Sequence, residues 1–448
     1  MPPSSRNRQH EDSFDLKQYA KTASLKRTIP NYERLQSEHA PDFKKFLSTL
    51  RDRLKEHRKD EKKVLVILGT GGTFQSESTT EGYAPTENLR ESFNALQMPK
   101  DESIHLELCD LMNADSSQMT VQQWRFIAEM IVLLEEEAGD LYDGIIITHG
   151  TDTMSKGASY LSFMLQGFPK SIVFTGSQYP ALEKGSDAKD QMERAIVTSK
   201  IAASAGRRIC EVMVACGLKV SRATWAAKQG DKTTNAFAPW NQTSQEYDAT
   251  DWAQAARDGT LHRLAPALID FGTGKNSGSL EIASHAMTLE NKKPYDPFTN
   301  ITHAADLYPV QLSDKSTESF AQHLIQQKVS LLTQLGSATA DDTLVDLAMT
   351  AANHGKIVLF EAPFPDSTVQ TGTYKAGAAV RENVPLIHRT LPILNTSPSA
   401  FEAKVNYVLH KLNIQPLAYK KGLGIVYNSV DLRRFYDAME SNMVGELV

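Results

Sequence analysis

Cysteine is scarce: 448 residues hold only Cys109, Cys210 and Cys216. That is too few for a disulfide framework, and no Cys-x-x-Cys pair suggests a zinc or thiol-redox site. All three lie in or beside apolar runs, which predicts buried free thiols in a reducing compartment. No apolar run is long enough to span a bilayer, and the polar start Met1-Pro2-Pro3-Ser4-Ser5-Arg6 carries no signal-peptide core. The expectation is a cytoplasmic protein with no membrane contact. No grouping of His, Asp and Glu has metal-ligand spacing, so no metal is expected. No repeat of solenoid length is present. A net charge of −6 and a pI near 6.1 argue against general nucleic-acid binding.

The composition, 41% hydrophobic and 23% charged, is that of a soluble globular protein, and the length predicts two domains plus an appendage. The appendage is the first 62 residues. Residues 1–63 carry a net charge of +6 and the remainder −12. Residues 1–30 lack periodicity and read as disordered. From Pro41 a helical stripe follows, with Phe43, Phe46, Leu47, Leu50 and Leu54 on one face and Lys, Arg and Glu on the other. That helix either docks on a partner or packs on its own domain. His10, His39 and His57 are expected in solvent.

From Lys63 onward, apolar β-branched runs alternate with helical patterns. Strands are predicted at 64–68, 105–109, 144–148, 171–175 and 210–216, and helices at 87–96, 121–138, 155–166 and 187–205. The alternation predicts a parallel sheet with helices on both faces, the larger domain at 63–270. Residues 271–300, rich in Gly, Ser, Asn, Lys and Pro, read as an interdomain linker. A smaller C-terminal α/β domain follows over 301–448, with strands at 305–309, 329–333 and 357–360 and helices at 343–354 and 400–412.

Two segments carry the chemistry. Val66-Ile67-Leu68-Gly69-Thr70-Gly71-Gly72-Thr73 and Ile147-Thr148-His149-Gly150-Thr151-Asp152-Thr153-Met154 are each an apolar run that stops at glycine and threonine. Each places threonine hydroxyls just past a strand's carboxyl end, where ligands bind in sheets of this kind. The first fails both nucleotide patterns: Gly-Lys-Ser/Thr is absent, and the third glycine of GxGxxG would fall at Phe74. A hydroxyl on a Gly-rich turn is instead surrounded by backbone N–H donors, as an oxyanion hole requires. It still needs a base, and a lysine of lowered pKa can serve. Spacing alone does not choose among the 48 Lys and Arg residues. Thr70 is expected to be structural, Thr153 to cap the following helix, and His149 to be a hydrogen-bonded structural residue.

Thr70-Gly71-Gly72-Thr73, His149-Gly150-Thr151-Asp152-Thr153-Met154 and the segment Thr175-Gly176-Ser177-Gln178 with Pro180 and Ser186-Asp187 occur in the order and spacing of one family. On these motifs the chain resembles the bacterial-type L-asparaginase/glutaminase threonine amidohydrolases, over 63–240 and more loosely over 300–415. The resemblance implies Thr73 as primary nucleophile and Tyr83 as the tyrosine of a mobile lid. It implies that Asp115, Ser116 and Ser117 grip the substrate's α-amino and α-carboxylate groups. It implies that Thr151, Asp152 and Lys228 form the second catalytic group, Asp152 also holding the α-amino group. No cofactor is implied. The Asp-Ser-Ser-x-Met form and the absent signal peptide are most like the cytoplasmic type I branch, which implies a homodimer or homotetramer acting on L-asparagine. The chain departs from the pattern at Phe74-Gln75, at Gln191 and near 336–339. Other readings are a glutaminase, an ammonia-generating subunit of a tRNA-dependent amidotransferase, and a catalytically inactive amino-acid sensor.

Overall fold

The computed structural model describes residues 40–240 except 81, 86–88, 205–207 and 232. Beyond 240 it describes 267–270, 287, 290, 292–301, 304, 307–310, 329–333, 350, 354–361, 397–415, 418–420, 424–441 and 443–444. The disorder expected over 1–30, most of the helix expected over 343–354 and the loop 336–339 lie outside the described residues. In chain order the first elements are α1 (Ala40–Arg58), β1 (Lys63–Gly71), β2 (Ser76–Thr79), β3 (Gly82–Pro85), α2 (Leu89–Ala95), β4 (Ile104–Ala114) and α3 (Val121–Ala138). Next come β5 (Gly144–Thr148), α4 (Met154–Met164), β6 (Ser171–Thr175), α5 (Ala188–Ala202), β7 (Val212–Val214), β8 (Lys219–Arg222), β9 (Ala226–Lys228) and β10 (Phe237–Pro239). The remainder are β11 (Ala267–Asp270), β12 (Leu307–Val310), β13 (Val329–Thr333), β14 (Ile357–Glu361), α6 (Pro398–Lys411), β15 (Ala418–Lys420), β16 (Gly424–Val426) and α7 (Ser429–Glu440).

Seven strands form the main sheet in the order β11-β8-β7-β6-β5-β1-β4. The five from β4 to β7 are parallel, β8 runs against β7, and β11 runs against β8. The pleat sends alternate residues to opposite faces. Val64, Val66, Leu68, Ile145 and Ile147 enter one core with α1, α3 and α4, whereas Leu65, Ile67, Ile146 and Val173 enter another with α5. A one-residue slip of β1 would exchange these two sets, so the burial of both faces fixes the register. The helices begin at local signals: Thr120 and Gln123 form a capping box on α3, and Ser397 caps α6 with Pro398 in its first turn.

The stripe on α1 is a core face. Leu47, Leu50 and Leu54 are buried in the first core, and Arg53 pairs with the buried Glu107 at 2.8 Å and Arg58 with Asp143 at 2.8 Å. The packed alternative therefore holds over this helix. His57 is not solvated as expected: it stacks on His105 at 4.7 Å and bonds Glu107 at 3.1 Å.

Strands β12, β13 and β14 form a separate three-stranded parallel sheet. Helix α6 lies along α4, where Glu402 pairs with Lys156 at 2.8 Å and the Asn406 amide donates to the Tyr160 hydroxyl at 2.8 Å. Residues 292–301 run beside the end of α4, the Phe298 N–H donating to Met164 and the Asp296 N–H to Gln166.

The sheet order decides where a ligand can sit. From β1 the chain crosses to β4 on one side, then returns past β1 to β5 on the other. The carboxyl ends of β1 and β5 therefore flank the switch point, the crevice used by open α/β sheets. The two threonine turns are the segments that leave those two ends.

Candidate active site

The turns interlock through glycine. Gly71 and Gly72 have φ of +95° and +75°, a region that side-chain-bearing residues rarely adopt. This reversal carries the chain from β1 into a short 3-10 turn over Thr73–Gln75. A Cβ on Gly72 would lie 2.4 Å from both Cα and N of Gly150, and one on Gly150 would lie 2.3 Å from Ser116 Oγ. Thus Thr73, Thr151 and Ser116 belong to three backbone turns in direct contact. Further bonds join them: Thr70 Oγ1 donates to Thr148 O at 2.7 Å, and the Gly72 N–H donates to Ala114 O at 3.1 Å.

Ser116 is buried, while Asp115 and Ser117 are exposed. The Asp115 carboxylate accepts from the Ser117 N–H at 2.9 Å and so shapes its own turn. Thr153 does not cap α4 with its side chain as expected. It holds the N-cap position, but its hydroxyl donates to Ser116 O at 2.8 Å, tying the turn after β5 to the turn after β4. The bond to Ser116 O orients the hydroxyl towards the neighbouring turn, and its oxygen accepts no N–H from the first turn of α4.

Lys228 arrives from the far side of the sheet. It ends β9, a hairpin with β10 in which Lys228 pairs with Phe237. Its Nζ donates to Thr151 Oγ1 at 3.1 Å and to Asp152 Oδ1 at 2.8 Å. The Thr151 residue is 7% exposed, the Lys228 side chain 18% and the Asp152 side chain 60%. Burial opposes the charge on Lys228, yet its bonds to carboxylates outweigh that and hold its pKa above the ordinary lysine value. In this state the lysine is a donor to the threonine.

Tyr83 stands apart from that group. It lies on the β2–β3 hairpin, is half exposed, and directs its hydroxyl at Glu183 at 3.5 Å. Ser78 on the same hairpin also bonds Glu183, so both strands of the hairpin are moored to one carboxylate.

Residues 63–255 match the family profile described as asparaginase, N-terminal. The L-asparaginase 1 of Escherichia coli K12 is 40% identical over 143 residues, 30% of this chain and 40% of that protein. A glutamyl-tRNA(Gln) amidotransferase subunit of Thermoplasma volcanium is 32% identical over 136 residues, 30% of this chain and 32% of that one. The chain thus spans less than half the length of these relatives. The solved thermostable L-asparaginase of Thermococcus kodakarensis superposes with a TM-score of 0.64 at 20% identity, covering 86% of this chain and 99% of that one, which shows a shared fold.

Three side chains brace the candidate site without belonging to its motifs. Gln75 is buried; its Oε1 accepts from the Gly71 N–H at 3.1 Å and the Thr148 hydroxyl at 3.2 Å, and its Nε2 donates to Asp110 at 3.3 Å. It therefore links the ends of β1, β5 and β4 beneath Thr73. Phe74 beside it is buried in the second core. Gln191, also buried, donates to Thr234 O at 2.6 Å and accepts from the Gly217 N–H at 2.9 Å, fastening α5 to the two chain segments that flank β8 and β9. Arg222 meets Glu211 in a buried two-point pair at 2.6 and 2.9 Å and stacks 4.7 Å over Trp225, fixing the turn that leads into β9. The sequence marked Gln75 and Gln191 only as departures. Their bracing role depends on partners between 4 and 73 residues away and has no local signal.

His149 is structural. It is fully buried, and its Nδ1 donates to the Gly150 carbonyl at 2.8 Å. Burial pushes its pKa down to about 4, which leaves the ring neutral near pH 7.

Replacing Gln75 by Leu keeps the volume but removes three hydrogen bonds, leaving the Gly71 N–H and the Asp110 carboxylate short of partners. The expected loss of stability is about 2–4 kcal/mol by urea denaturation. A change of less than about 0.5 kcal/mol would remove Gln75 from the bracing described.

Proposed function

We propose that the chain is an L-asparagine amidohydrolase that works through a threonine ester and needs no cofactor. The observation that carries the reading is the Thr151–Lys228–Asp152 group, bonded at 3.1 and 2.8 Å beside the turn that bears Thr73. Thr73 Oγ attacks the side-chain amide carbon of asparagine. The Gly71 and Gly72 N–H groups are engaged by Gln75 and Ala114, so the backbone N–H groups of Thr73 and Thr151 face the oxygen as it becomes negative. Once Lys228 has lost a proton, the Thr73 proton passes through Thr151 to the neutral lysine, and the amide nitrogen gains a proton and departs as ammonia. Water then adds to the ester carbon, the ester bond breaks, and aspartate and the Thr73 hydroxyl are released. Asp115, Ser116, Ser117 and Asp152 hold the α-carboxylate and α-amino groups. Tyr83 joins the proton path when the β2–β3 hairpin closes, which requires release of its Glu183 bonds.

The proposal includes a catalytic domain over 63–270, a linker over 271–300 and a second domain over 301–448, in a cytoplasmic homodimer or homotetramer. A second reading, the ammonia-supplying component of a tRNA-dependent amidotransferase, is favoured by the match to the Thermoplasma protein. One extra methylene is worth only about 1–3 kcal/mol in a pocket, so substrate preference is a matter for measurement. The test is ammonia release by the purified full chain with L-asparagine and L-glutamine in parallel. Turnover of asparagine exceeding that of glutamine is expected. A folded protein that releases ammonia only with a partner protein and charged tRNA would replace this reading with the second.

A further inference from the structure

Lys228 meets a carboxylate that the mechanism above does not use. Asp231 Oδ1 lies 2.7 Å from Lys228 Nζ, as close as Asp152. It sits three residues on, in the connection from β9 to β10, and its side chain is 81% exposed. The three N–H directions of the ammonium are thus all occupied, by Thr151, Asp152 and Asp231. Lysine in this state can take no proton from Thr151 until it has lost one.

We propose that Asp231 is a positioning residue that pins the Lys228 ammonium from the solvent side and thereby sets how readily the lysine exchanges a proton with Thr151. The inference rests on the amidohydrolase reading. Among the described residues the groups facing Lys228 are few. Asp152 comes from the turn after β5 and Asp231 from the hairpin itself, the Cys216 thiol lies near enough to be affected by the lysine's charge, and β10 presents the uncharged Phe237. The contact also lowers the Asp231 pKa. A substrate ammonium settling on Asp152 draws one carboxylate away from Lys228 and brings a like charge towards it, and both changes favour loss of the lysine proton. Asp231 is then the one carboxylate still holding that proton. The neutral lysine exists above its pKa, so removing the Asp231 charge lowers that pKa and extends the neutral form to lower pH.

The test compares kcat–pH profiles of the wild type, Asp231→Asn and Asp231→Glu with L-asparagine at low and high salt. The rising limb of Asp231→Asn is expected to move to lower pH, with turnover on the acid side about two- to threefold faster, the scale of an exposed ion pair. KM should hold within about twofold, the glutamate should restore the wild-type profile, and high salt should narrow the gap by screening an exposed charge. Superimposed profiles, or a uniform fall in kcat at every pH, would overturn the proposal. Should the wild type not turn over asparagine, the amidohydrolase reading fails separately. The Lys228 titration followed by NMR of 13C-labelled lysine then decides the pinning, and equal midpoints in wild type and Asp231→Asn would reject it.

Discussion

Thr73→Ala and Thr151→Ala are each expected to lower kcat for asparagine by roughly 10⁴-fold, as loss of one member of a catalytic unit does in hydrolases of this logic. The two losses should not add, because either removal breaks the same proton path. Thr73 is half-buried at the mouth of its turn, so its truncation costs little stability. Thr151 is more buried and accepts from Lys228, so its alanine variant is expected to unfold slightly earlier. Single-turnover kinetics separate the roles: Thr73→Ala should form no ester, while Thr151→Ala should form it slowly. The measurement is ammonia release alongside mass spectrometry of the intact protein. Turnover within about tenfold of the wild type in either variant would remove that residue from the mechanism.

Gly72→Ala has the second largest expected effect, and its cause is steric. The position holds φ +75° and ψ −174°, a region reserved almost entirely for glycine, and the added Cβ would meet the Gly150 backbone at 2.4 Å. Backbone cannot rotate away as a flexible side chain can. Backbone strain of about 1–3 kcal/mol and overpacking of about 1–3 kcal/mol should combine to about 2–6 kcal/mol. Parting the turns also separates Thr73 from Thr151, so activity should vanish even in the fraction that remains folded. Urea denaturation with residual ammonia release checks both. A variant of normal stability and normal kcat would mean that the close approach of the turns is dispensable.

The candidate site was legible in part, and the reasons differ by residue. The two threonine turns could be found because glycine and threonine at the end of an apolar run state their own geometry: the strand is buried, the glycines reverse the chain, and the hydroxyls are left at the carboxyl end; the resemblance then singled out Thr73 and Thr151 within them. Asp115 was named by the resemblance, and the structure shows it shaping its own turn two residues on. Lys228 was placed by resemblance alone, since nothing in Ala226-Ala227-Lys228 distinguishes it from other lysines. Its partners lie 76 and 77 residues away, and only the pairing of β9 with β10 directs it to them. Gln75, Gln191 and Asp231 carry no motif. Thr153 had the residue type of a helix cap, but its side chain accepts no helix N–H and instead donates to a carbonyl on another turn.

The stripe on α1 shows the same limit from another side. Spacing made it amphipathic, but a docking face and a core face share one pattern. Burial of Leu50 and Leu54 and the pairing of Arg53 with Glu107 decided between them.

By itself, then, the sequence determined the alternating strands and helices, the two-faced burial of the sheet and the identity of both threonine turns. Each of these follows from neighbours within a few positions, through the two-residue period of a strand and the 3.6-residue period of a helix. Tertiary structure alone decided that β4, β1 and β5 lie side by side, that Gly72 rests on Gly150, and that Lys228 reaches Thr151. Those contacts join residues 41 to 79 positions apart, and local periodicity carries no information about such pairs.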